Sequence, residues 1–271
     1  MNNCYIVIHQ GIGDLFNSIG IINYYASIYD TIYVFLLNNT NLQILNEIYF
    51  NNNKIIPIIP DFVNYNNSLH PNTCLNCMTP GNKDYCPRNH NIECKYINYD
   101  NYKGEIIKIG SFNNANTWEN FRLKQFSFAH SFYIYNNLDH NIRFDYFNIF
   151  NDKEKEKNIY KKFKETWGNE YILIHEDHER NFFIDKNKII NKNLPIINLD
   201  KISNFFVDYL EVIQNAKEIH LIVSSWSVLI YLLSYKIIKN IPIFLNSTFF
   251  KNNARDINIY KNPTFDNWVF Y

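Results

Sequence analysis

Residues 4–20, CYIVIHQGIGDLFNSIG, run from an apolar, β-branched stretch into a helical pattern, and they hold three of the chain's seven glycines. Cys4 to His9 reads as a buried parallel strand. Leu15, Ile19, Ile22 and Ala26 recur at helical spacing and predict a helix over 14–26. Between them, Gly11 and Gly13 allow a tight turn that brings backbone close to a ligand, and Asp14 sets a carboxylate at the mouth of any pocket. A plainer reading of the same residues is a strand-to-helix turn with Asp14 as its cap. The spacing Gly11, Gly13, Gly20 is not the dinucleotide fingerprint, whose third glycine follows the second by three residues, so a nicotinamide cofactor is disfavoured.

Downstream, TIYVFLL at 31–37 reads as a second buried strand and LQILNEIYF at 42–50 as a helix, completing a βαβ start. NKIIPIIP at 53–60 is a third strand, which Pro57 and Pro60 end or confine to an edge. Residues 62–96 break the rhythm with Asn, Pro and Cys and read as an insertion, before EIIKIG at 105–110 restores a strand. A helix is expected within 118–135, where the period is poor. DKEKEKNIYKKFKETW at 152–167 places Ile159, Phe163 and Trp167 four residues apart and predicts an amphipathic helix with a solvated charged face. A second alternation follows: YILIHED, PIINL, IHLIVSS and IPIFLNS as strands, FFVDYLEVIQ and SVLIYLLSY as helices. The expectation is an α/β chain of two Rossmann-like halves facing a cleft. The first spans 1–150, with a small Cys-rich insertion at 68–96, and the second spans 151–271.

Composition narrows the partners. Basic and acidic residues balance at 26 each, which leaves no overall field for nucleic acid or an anionic membrane. Hydrophobic residues make up 46% of the chain and aromatics 17%, enough for a substantial core without disulfides. The first ten residues lack a basic region before a secretory apolar core, and serines interrupt the longest apolar run, so a cytoplasmic protein without a membrane span is expected.

Three constellations carry chemistry. Cys74, Cys77, Cys86 and Cys94 cluster in LHPNTCLNCMTPGNKDYCPRNHNIECKY, with a CxxC pair at its head, as a structural zinc site would. Disulfides in an oxidising setting, or reduced thiols, are the alternatives. HEDHER, His175–Arg180, puts charges at a strand's carboxyl end, where Arg180 offers a fork for phosphate oxygens; mutual neutralisation in a surface turn is the alternative. Ser224, Ser225 and Ser227 end one strand and start a helix, so hydroxyls and helix N–H groups can face one anion, although capping alone explains one serine.

IVIHQGIGDLFNSIG resembles the N-terminal loop of GT-B glycosyltransferases, especially the heptosyltransferase-type pattern in which Gly-Asp precedes the first helix. HEDHER followed by IHLIVSSWSVLIYLLS resembles the nucleotide-sugar half of fucosyltransferase-like and heptosyltransferase-like GT-B enzymes. The resemblance implies metal-independent, inverting transfer of a sugar from a nucleotide-diphosphate donor to a hydroxyl acceptor. It implies Asp14 as general base, with His9 as rival, and donor binding by Gly11, Gly13, His175, Arg180, Ser224, Ser225 and Ser227. The departures are the short chain, Ser224-Ser225-Trp226 in place of Asp-Ser-Gly, and the cysteine segment. The competing expectation is a non-catalytic nucleotide-binding-fold scaffold whose zinc-stapled insertion docks another protein.

Overall fold

The computed structural model describes residues 2–8, 11–36, 39–60, 62–65, 69–73, 80–82, 94–97, 99–109, 128–201, 206–246 and 265–271. The chain is α/β, with two all-parallel sheets, and divides into two compact units. The first comprises residues 1–46 and 51–148, the second residues 47–50 and 149–271.

In the first unit, β1 (Asn3–Val7) pairs in parallel with β2 (Thr31–Phe35) on one side and β8 (Glu105–Lys108) on the other, and β3 (Ile55–Ile58) pairs with β2. The order β3-β2-β1-β8 puts Pro57 on an edge strand, where its missing N–H breaks no ladder. Two antiparallel pairs accompany this sheet: β4 (Phe62–Tyr65) with β7 (Cys94–Ile97), and β5 (Leu69–Thr73) with β6 (Pro80–Asn82). Cys74, Cys77 and Cys86 lie outside the described residues, as does His9.

Helix α1 (Ile12–Ile28) follows β1, and α2 (Asn39–Ile48) follows β2. The one-sided burial expected of α1 gives way to eight consecutive buried residues, Leu15 through Ile22. The reason is a second cover. Helices α3 (Phe128–Ile134) and α4 (Ile142–Asp145) pack on α1, with Tyr133 Oη donating to Asn17 O at 2.6 Å and Arg143 Nη2 donating to Asn17 Oδ1 at 2.5 Å. At Gly20 a Cβ would sit 2.7 Å from Ile142 O and 2.8 Å from Arg143 Cα, so this glycine marks a helix crossing.

The second unit opens with α5 (Lys153–Trp167), capped by the Asp152 carboxylate on the Glu154 and Lys155 N–H groups. Its expected apolar stripe is cut short: Phe163 is buried, Ile159 half-buried, and Trp167 is 44% exposed in the last turn before Gly168. The five-stranded sheet runs β10 (Ile196–Asn198), β9 (Ile172–His175), β11 (Glu218–Ile222), β12 (Ile243–Asn246) and β13 (Trp268–Phe270), all parallel. Strand β13 lies outside the expected alternation, because three residues carry too little pattern to mark a strand. The helix expected over 205–214 is a 3-10 turn (Phe206–Tyr209) leading into the short α6 (Leu210–Gln214), and α7 (Ser225–Lys236) follows β11. Among the described residues no helix is long and apolar enough to cross a membrane.

Candidate functional site

In an open parallel sheet, ligands collect outside the carboxyl ends of the strands at the point where strand order reverses. In the second unit that point lies between β9 and β11. A cavity of about 660 Å³ opens there, lined by His175 at the end of β9 and residues 176–180 after it, Asp200 after β10, Phe206, and residues 223–226 where β11 passes into α7.

The α7 end of the pocket is a helix N-terminus with half of its donors already used. Ser224 Oγ accepts from Ser227 N–H at 3.4 Å, and Ser227 Oγ accepts from Ser224 N–H at 2.9 Å, a reciprocal capping box. Ser227 is fully buried and does not line the pocket. The N–H groups of Ser225 and Trp226, in the first turn, have no intrahelical acceptor by position and stand at the cavity with the positive end of the helix dipole. Trp226 packs its ring on Phe206 at 4.3 Å between centroids, giving the pocket an aromatic wall.

The β9 end is a tight hairpin. Asp177 and Phe182 exchange backbone hydrogen bonds, Asn181 takes φ 56° at the turn, and Asp177 Oδ1 accepts from Arg180 N–H at 2.9 Å. Arg180 Nε donates to Asp177 Oδ2 at 2.5 Å while its guanidinium lies over the Phe182 ring. The Arg180 backbone N–H, and then its guanidinium, hold the Asp177 carboxyl below its ordinary range. Glu176 is turned inward and accepts from Ile184 N–H at 3.2 Å.

His175, at the last position of β9, is nine-tenths buried in the pocket wall, with Nδ1 3.1 Å from Asp200 Oδ1 but not aligned for a hydrogen bond. Four acidic residues (Glu176, Asp177, Glu179 and Asp200) and one guanidinium, that of Arg180, line this cavity among the described residues. A phosphoryl group is therefore served by the helix start, and the carboxylates are suited to accept from ligand hydroxyls.

Of the residues singled out in the sequence, His175, Arg180, Ser224 and Ser225 converge on this pocket. Asp200 and Phe206 line it as well, outside the constellations drawn from the sequence. The signal for Asp200 was available, since PIINLD is a short strand followed by a carboxylate at the same sheet edge.

Gly11, Gly13 and Asp14 belong to the first unit. Gly11 caps α1 at φ −72°, ψ 145°, a conformation open to any residue, and Gly13 lies in the first helical turn. The Asp14 carboxylate folds back over Gly11, its Oδ2 2.7 Å from where a Cβ would stand. Asp14 is half-buried, in the first turn of the helix that follows β1. Among the described residues no group of three or more His, Cys, Asp or Glu side chains is arranged to hold a metal. The cysteine set lies outside that description except for Cys94, whose backbone begins β7.

Searches against protein-family models, curated proteins and solved structures returned no match.

Proposed function

We propose that the chain is a glycosyltransferase that moves a sugar from a nucleotide-diphosphate donor to a hydroxyl acceptor with inversion. The observation that carries this reading is the 660 Å³ pocket at the β9/β11 reversal, where helix-start amides, a buried histidine, carboxylates and an aromatic wall meet. Its volume suits a nucleotide-sized ligand, and its groups match a phosphate, hydroxyls and a flat ring. Parallel sheets in both units, as in the GT-B enzymes the sequence resembles, support the same reading.

In this mechanism Asp14, or His9, takes the acceptor proton as the acceptor oxygen bonds to the anomeric carbon. The bond to the diphosphate breaks, and the charge that builds there is received by the Ser225 and Trp226 amides, the Ser225 hydroxyl and Arg180. Structural zinc would be held by Cys74, Cys77, Cys86 and Cys94, away from the chemistry, and metal analysis of protein purified without chelator tests it. A thermal-shift screen against UDP, GDP, ADP, CMP and their sugars tests the donor site. A rise in melting temperature that weakens in Arg180→Ala is expected, and no shift at millimolar ligand refutes the proposal.

A second reading, a nucleotide-binding-fold scaffold without catalysis, draws on the internal commitments of Arg180 to Asp177 and of Ser224 to Ser227. It requires that Asp14→Asn leave cellular function intact and that Cys77→Ser abolish partner binding.

A further inference from the structure

Arg180 is the only guanidinium at the pocket among the described residues, and it is engaged. Its partner Asp177 is three residues away on the same hairpin and holds it twice, through the backbone N–H on Oδ1 and through Nε on Oδ2. The first contact builds the turn. The second uses up the charge that an anionic ligand would seek. Phe182 supports the guanidinium in that position from below. The side chains are partly open to water, with Arg180 at 54% exposure and Asp177 at 21%, so the pair can separate without opening the core.

We infer that Asp177 is an intramolecular competitor for Arg180, a latch that keeps the pocket's cation from an anion bound at the α7 start until that anion displaces the carboxylate. The inference rests on the anion-binding role proposed for this pocket and adds its regulation. An exposed pair of this kind costs little to break, so the latch tunes affinity without blocking the site. It also favours ligands with a second anionic group, because one phosphate can occupy the Ser225 and Trp226 amides while another draws Arg180 away.

Asp177→Asn separates the two contacts, since the amide oxygen still accepts from the Arg180 N–H and preserves the turn. Removing a carboxylate would by itself ease anion binding by Coulomb's law, so the measurement is a double-mutant cycle. Inorganic pyrophosphate is titrated calorimetrically into the wild type, Asp177→Asn, Arg180→Ala and the double variant. Tm is recorded for each to show that all four are folded. The latch predicts that Asp177→Asn tightens pyrophosphate binding about three- to tenfold, and that once Arg180 is alanine only a smaller, purely Coulombic part of this gain remains. Equal tightening in both backgrounds, or none in the wild-type background, overturns the latch and leaves the anion site standing. Failure of all four folded proteins to bind pyrophosphate overturns the site and the latch together.

Discussion

Glu218 and His220, two residues apart on β11, meet side chain to side chain at 2.5 Å in the core of the second unit, both fully buried. The carboxylate also accepts from the Ile190 N–H at 2.8 Å and from the Asn191 N–H and Nδ2 at 3.2 and 3.0 Å. Desolvation pushes Glu218 up, but these donors and His220 outweigh it and hold the carboxyl below its usual range. Burial keeps His220 low despite the adjacent carboxylate. The pair is therefore an ionised Glu218 accepting from a neutral imidazole, whose other nitrogen has no hydrogen-bond partner and whose ring stacks on Phe244. Glu218→Ala strands four donors and should destabilise the second unit by about 3–5 kcal/mol, read from its urea midpoint. Glu218→Gln keeps an acceptor in place and should lose less.

Acid sensitivity follows from the histidines. In the first unit His130 and His140 stack at 3.5 Å, and burial, then the Arg143 guanidinium, push them down to about 4 and about 2. Their folded pKa values lie below the unfolded histidine value of about 6.5, so the unfolded chain takes up protons first as pH falls. Their contribution is whole above about pH 6.5 and is lost as pH drops toward their folded values. Apparent Tm should be flat from pH 7 to 8 and roughly 5–10 °C lower at pH 5. His140→Asn should reduce that difference, and a Tm unchanged at pH 5 counts against the burial of these rings.

Two glycines of the opening motif should behave oppositely on substitution. At Gly20 the new methyl meets backbone atoms of Ile142 and Arg143, which cannot yield cheaply, so Gly20→Ala should cost about 1–3 kcal/mol. At Gly11 it meets only the mobile end of Asp14, at an ordinary extended φ, so Gly11→Ala should lie within about 1 kcal/mol of wild type. Chemical unfolding of the two variants side by side decides this.

These contrasts show where the sequence could be read. Alternation of strand and helix patterns was enough for the parallel layers, because β1 and β9 are buried on both faces and read as largely apolar runs, and β11 keeps enough of that pattern although Glu218 and His220 interrupt it. Burial within helices was harder. Trp167 fits an apolar stripe yet is exposed, since its helix stops at Gly168, and α1 is buried through two full turns by helices whose sequences carry little period. The pocket was half legible. HEDHER and the serines announce themselves, but Asp200 joins His175 only because β10 pairs beside β9, and pairing order is not written in local pattern. Ser224 and Ser227 looked alike in sequence; the spacing of three that closes a capping box turns one inward.

The α7 start allows a prediction with two opposite signs. Ser225 is the first residue of the helix, it lines the cavity, and no acidic residue occupies that first turn. A carboxylate there complements the helix dipole, so Ser225→Asp should stabilise the fold by about 0.3–1 kcal/mol. The same carboxylate sits where the proposed phosphate would bind, and repulsion at that distance should weaken nucleotide binding by at least about tenfold. Thermal melts without ligand and calorimetric titrations with UDP measure the two effects separately. A variant that melts higher but binds UDP as well as wild type moves the anion away from this helix, whereas a higher melt with lost binding ties the ligand to the Ser225 and Trp226 amides.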